Sequence, residues 1–214
     1  MSATARLERT SPREWRPLLA VLALSTAAWV AVVLGVEGGG IAGFVFAWTL
    51  MMVAMMLPSA SPLVLLYRRA ATASATAALV AGYLLVWSTV GLAAWVLHRV
   101  AMEVPAALVF VAAGVYQLTP IKSACLRRCR TPADFLVERW RPSAFVLGMD
   151  HGAWCLGCCW ALMVVLVVAG MMGLAWVVAL AALVAIEKLA PFGDTAAKVT
   201  GVGFIVLGIL EGAT

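Results

Sequence analysis

Charge is scarce in this sequence. Asp, Glu, Lys and Arg make up 12% of its 214 residues, about half the share of a soluble globular domain, so an ordinary soluble domain is excluded. Polar low-complexity tracts are missing as well, which excludes a disordered chain or a collagen-like repeat. Five cysteines in a chain of this length do not make a disulfide-dense secreted scaffold. No repeat of 20–50 residues stands out. No G-x-x-x-x-G-K-S/T loop is present, which disfavours pumping driven by ATP. No A-x-A-like cleavage site follows the run Leu18–Val36, which therefore reads as a retained anchor and not a signal peptide.

What is abundant is apolar surface. Hydrophobic residue types reach 64%, the mean hydropathy is +1.04, and the apolar runs have the roughly 17–25 residues needed to cross about 30 Å of hydrocarbon as helix. Helices are expected at 17–36, 42–66, 76–97, 105–121, 143–169, 173–188 and 197–211. The fold class is all-α, a polytopic transmembrane bundle of about seven helices. It has one fewer if the short, Gly-rich Val199–Leu210 lies re-entrant. Residues 1–16 form a basic tail, and 17–214 form one domain with a polar loop at 122–142, broken by Pro132.

The net charge of +5 is explained by where the basic residues sit. Arg6, Arg9, Arg13 and Arg16 precede the first helix, Arg68 and Arg69 follow the second, and Lys122, Arg127, Arg128, Arg130, Arg139 and Arg141 follow the fourth. Lys188 and Lys198 follow the sixth. The opposite connections, Glu37–Gly40, His98–Val104 and Gly170–Gly173, carry Arg99 alone. The positive-inside rule then puts the N-terminus and the 122–142 loop in the cytoplasm of a bacterial inner membrane. A nucleic-acid partner is not needed to account for the charge.

Chemistry concentrates in the fifth run, over Met149–Trp160. At about 100° per residue, His151, Cys155, Cys158 and Cys159 fall within an arc of about 100° and face one way. The rise from His151 to Cys159 is roughly 12 Å, too long for one ion to collect all four from a regular helix, so neighbouring helices must complete any site. The second helix offers Met51-Met52-Val53-Ala54-Met55-Met56, with Met51 and Met55 on one face at i,i+4. Thiolate and thioether are soft ligands that favour Cu(I), and His151 suits copper or zinc. Alone, the methionines read as adaptable packing. Beside a Cys/His stripe they become candidate ligands.

Carboxylates at membrane depth are functional candidates by default. Asp150 either orients His151 or is held by another helix, since adjacent helical residues point about 100° apart. Glu187 with Lys188 reads equally as an interfacial pair. Cys125 and Cys129, at i,i+4 in the basic segment, can pair to receive or deliver a soft ion; the alternative is unremarkable thiols in a lipid-facing basic patch. His98 beside Arg99 reads as an interfacial residue.

Four segments, Trp48–Ser59 (WTLMMVAMMLPS), Tyr116–Arg130 (YQLTPIKSACLRRCR), His151–Met163 (HGAWCLGCCWALM) and Glu187–Gly193 (EKLAPFG), resemble domain of unknown function 2182. This is a family of predicted metal-binding integral membrane proteins sometimes labelled copper chaperones. The resemblance implies that His151, Cys155, Cys158, Cys159, Cys125, Cys129 and the Met51–Met56 cluster belong to a metal-handling set.

Three functions are then open. A membrane protein that holds Cu(I), with zinc as the alternative ion, and passes it to a metal-accepting or metal-donating protein or across the bilayer ranks first. A membrane oxidoreductase ranks second, either a dithiol exchanger using Cys155 and Cys158 or a metal-dependent oxygenase. A structural subunit of a membrane complex ranks third. No catalytic residue is assigned, and a non-enzymatic role ranks ahead of an enzymatic one.

Overall fold

The computed structural model describes residues 12–36, 39–100, 104–170 and 173–213. Arg6 and Arg9 of the basic tail and Glu37 of the first connection lie outside them. The described residues form helices and no strand: α1 Pro12–Val33, α2 Gly40–Ala70, α3 Ala73–Val100, α4 Ala106–Gln117, α5 Pro120–Arg130, α6 Pro132–Arg139, α7 Ala144–Gly170, α8 Leu174–Leu189 and α9 Gly193–Gly212.

Each of the apolar runs becomes a helix, but not every one is a span. Five helices, α1, α2, α3, α7 and α9, are long and apolar enough to cross a membrane. With 12 residues α4 is about 18 Å long, and with 16 residues α8 is about 24 Å, both short of the roughly 30 Å needed. The α4–α5 pair counts as a sixth span only if it is one broken element, bent by 65°. About seven spans were expected, and among the described residues five to six candidates are found.

Local chemistry explains the breaks. Thr119 takes an extended conformation and its side chain accepts from the Lys122 backbone N–H, with Pro120 in the first turn of α5. A capping threonine followed by proline starts a new helix, so the apolar run ends at Gln117. Pro191 closes α8 in the same spirit, one residue past its cap at Ala190. The last segment, expected to be the weakest, is instead a continuous 20-residue helix. The segment expected as a loop is folded too: α5 and α6 occupy most of 122–142, with Pro132 in the first turn of α6.

At the centre of the bundle lies α7, the most buried of the five candidate spans. Close backbone approach seats it on α3. A Cβ on Gly82 would collide with the Phe145 carbonyl, and one on Gly148 with the Leu79 carbonyl, so glycine is what lets these helices touch where lipid supplies no hydrophobic drive. In the same way α4 meets α9 at Gly114, Gly201 and Gly208. Along α2, Met52, Met56 and Leu57 are fully buried and face this interior.

Candidate metal centre

Cys155 and Cys158 sit near the middle of the 27-residue α7, with neighbours supplied by α2, α3, α5 and α8. Cys155 and Cys158 project toward α5 at i,i+3, and α5 brings Cys129 to meet them. The Cys129 and Cys158 sulfurs are 3.8 Å apart, and the three Sγ atoms of Cys129, Cys155 and Cys158 lie within 4.8 Å of one another. Cys129 as a residue is half-buried, yet its sulfur is buried in the cluster. Sulfurs bonded at about 2.3 Å to one centre stand roughly 4 Å apart in a trigonal plane. The trio therefore fits a three-coordinate soft ion with only slight contraction.

The remaining candidates fall elsewhere. Cys159, one position on from Cys158 and so about 100° around the helix, turns back to donate to the Cys155 carbonyl at 2.9 Å. Cys125 packs over Gly157, where an added Cβ would stand 2.8 Å from its sulfur. His151 is buried between two rings, Phe135 at 5.1 Å and Tyr83 at 5.8 Å, and its Nδ1 has no hydrogen-bond partner. None of the three belongs to the sulfur group. Asp150, a candidate for orienting His151, is turned toward another element. It faces Arg139 at 3.8 Å, the alternative in which another helix holds it. Met51 lines a separate cavity, whereas the methionine beside Cys155 is Met56, reached through a shared lysine.

That lysine was not singled out as part of the site. Lys188 is buried, and its ammonium donates to the Cys155 sulfur at 2.9 Å, Ser59 Oγ at 3.3 Å and Met56 Sδ at 3.8 Å. The Tyr83 hydroxyl is 3.1 Å from the same sulfur. Next door, Lys122 is fully buried. It donates to the Cys158 carbonyl and to Glu187 Oε2, the latter at 2.6 Å, while Gln117 Nε2 donates to Glu187 Oε1 at 2.8 Å. Glu187 and Lys188 are thus not an interfacial pair. Neighbours in sequence, they point to different partners, one to α5 and the other to Cys155.

The charges of this interior do not cancel. Two ammonium groups stand against one carboxylate, leaving one positive charge for the sulfurs to answer. An uncompensated charge at such depth is expensive, and this one stands against the Cys155 sulfur, where the anionic ligands of a soft cation would sit. The signal for the lysines was present in sequence: Lys122, Glu187 and Lys188 lie inside the motif segments Tyr116–Arg130 and Glu187–Gly193. Three-dimensional convergence of all four segments on Cys155 is what those motifs have in common.

A family model described as copper chaperone, PpoB2, matches residues 45–211, a stretch that contains every residue of the site just described. Among curated proteins nothing matches the chain, and among solved structures nothing does either.

Proposed function

This chain belongs to the PpoB2 copper chaperone family, and on that premise we propose that it is an integral membrane protein that carries Cu(I) on Cys129, Cys155 and Cys158 and passes it to a partner protein. The observation that carries the reading is the buried sulfur trio drawn from two helices, set against the ammonium of Lys188. Softness selects the cargo: three thiolates prefer Cu(I) to hard cations, and zinc would want a fourth ligand. His151, with a free Nδ1 one turn before Cys155, is the donor held in reserve, and Met56 is the thioether that shares the Lys188 ammonium with Cys155. We assign the N-terminus, α6 and the α2–α3 connection to the cytoplasm of a bacterial inner membrane on the distribution of arginine.

The test is Cu(I) stoichiometry and affinity of the detergent-purified chain, measured by competition with a chromogenic chelator under reducing conditions. One ion per chain is expected. Cys155→Ser and Cys129→Ser should each lower affinity at least about 100-fold, while Cys159→Ser and Cys125→Ser should change it less than about tenfold, because serine offers a harder oxygen only where a ligand is replaced. Equal losses at all four positions would remove the trio. A second reading rests on the 3.8 Å between the Cys129 and Cys158 sulfurs: a dithiol exchanger would purify free of metal with a reducible bond between that pair, not between Cys155 and Cys158.

A further inference from the structure

At the end of the bundle opposite Arg68 and Arg69, a cavity of about 490 Å³ opens between α1, α2, α3 and α8. Its outer rim includes His98 and Arg99, both exposed, and its floor is formed by Trp48 and Met51, both buried. The cavity keeps its shape because Trp48 is pinned, its Nε1 donating to the Trp87 carbonyl at 3.0 Å. Among the described residues lining the cavity the cationic side chain is Arg99, stacked on the Trp95 ring at 4.3 Å. His98 lies against Phe44, with ring centroids 6.2 Å apart.

From the floor inward the chemistry changes to sulfur. Met51, Met52, Met55 and Met56 are all buried, and all belong to the same contiguous core cluster as Cys155 and Cys158. The rise from Met51 to Met56 is about 7.5 Å, and i,i+4 spacing stacks Met55 on Met51 and Met56 on Met52. Met56 ends the series beside the Lys188 ammonium that also holds the Cys155 sulfur. A flexible thioether bridges such a step by rotating about its side-chain bonds.

Resting on the copper reading, we infer that this cavity is the mouth through which a soft monovalent cation reaches the cysteine trio, with Met51, Met52, Met55 and Met56 as successive neutral ligands. Neutral thioethers suit a path better than a store. They replace the hydration of a soft ion without holding it as thiolates do, and conduction needs sites that bind well enough to admit an ion and weakly enough to release it. The charged trio lies at the end of the series, so the ion runs downhill in ligand strength. No redox change is involved, since each step exchanges one sulfur ligand for the next.

The full-length chain in lipid nanodiscs, reduced and metal-free, is mixed with Ag(I), a soft monovalent probe that does not cycle between oxidation states. Uptake is followed over time by elemental analysis after rapid desalting. Met51→Leu removes the first thioether at nearly constant volume, a class of change that membrane and soluble cores tolerate. Ala47→Trp fills the cavity it lines, and Leu22→Trp, on an exposed face of α1, is the size control. Both cavity variants should load at least tenfold more slowly than wild type and reach the same end point of one ion per chain, and the control should load at the wild-type rate. Wild-type rates in Met51→Leu and Ala47→Trp would overturn the route and leave the cysteine site standing. A lowered end point in Met51→Leu would also overturn it, by making Met51 a ligand of the final site. A wild-type chain that takes up no Ag(I) would remove the site and the route together.

Discussion

Lys188 shows how much one side chain decides at this depth. Its ammonium has three partners, the Cys155 sulfur, Ser59 Oγ and Met56 Sδ, and it supplies the positive charge that Lys122 does not, because Lys122 is matched by Glu187. Replacing it with methionine keeps the length and removes the charge. We expect Lys188→Met to fold and to lower Cu(I) affinity by about 10- to 100-fold, the roughly 1.4–2.8 kcal/mol that an unbalanced thiolate would cost at moderate effective dielectric. Lys188→Arg, which retains charge and donors, should recover part of the loss in the same chelator competition. An affinity unchanged by Lys188→Met would mean that the ammonium only fills space.

Among the elements, α5 is the one whose placement makes the site. Three devices hold it: the Lys122–Glu187 ion pair, Arg130 donating to the Glu187 carbonyl at 2.9 Å and the Pro191 carbonyl at 3.1 Å, and the Tyr116 hydroxyl donating to the Gly157 carbonyl just before α5 begins. Removing one partner of a buried pair costs more than the pair is worth, about 3–5 kcal/mol, because the other charge is left alone. Glu187→Leu should therefore lower the unfolding midpoint sharply, and Glu187→Leu with Lys122→Met should restore much of it, as read by thermal unfolding in detergent. Gly157→Ala tests the contact from the other side. The added methyl would stand 2.8 Å from the Cys125 sulfur, so that sulfur must move, either by rotation of the side chain or by an outward shift of α5. Cu(I) affinity should fall about tenfold with all three ligands intact, whereas full affinity would show that α5 adapts.

For the molecule as a whole, the arrangement is a set of long helices, α2, α3 and α7, against which the short helices α4, α5 and α8 bring the buried polar ends Gln117, Lys122, Glu187 and Lys188. Discontinuous helices place backbone ends, lysines and cysteines inside protein where a span would bury apolar side chains, and irregular backbone is tolerated at membrane depth only where protein covers it. Orientation is testable on this frame. Gly39 and Ser143 are both exposed and belong to connections at opposite ends of the bundle. We expect a cysteine at Gly39 to react with a membrane-impermeant maleimide in intact cells and one at Ser143 to react only after lysis. The reverse pattern would invert the topology.

Some of this was written in the sequence and some was not. Apolar run length determined an all-helical membrane bundle, and the spacing of Cys155 and Cys158 determined that they share a face, because both follow from local geometry that does not depend on what packs alongside. Hydropathy ended the 173–188 run before Pro191 but carried the 105–121 run past Thr119 and Pro120, and it counted about seven spans where five to six candidates stand among the described residues. Three things had to come from tertiary structure. Which sulfur completes the trio depended on α5 folding back against α7, so Cys129 joined while the neighbouring Cys159 turned away. That Met56 meets the lysine which also holds the Cys155 sulfur depended on how α2 packs against α8. Lys122, Glu187 and Lys188, charged residues that hydropathy assigns to an interface, went to the interior because partners from other helices meet their charges and hydrogen-bonding groups there.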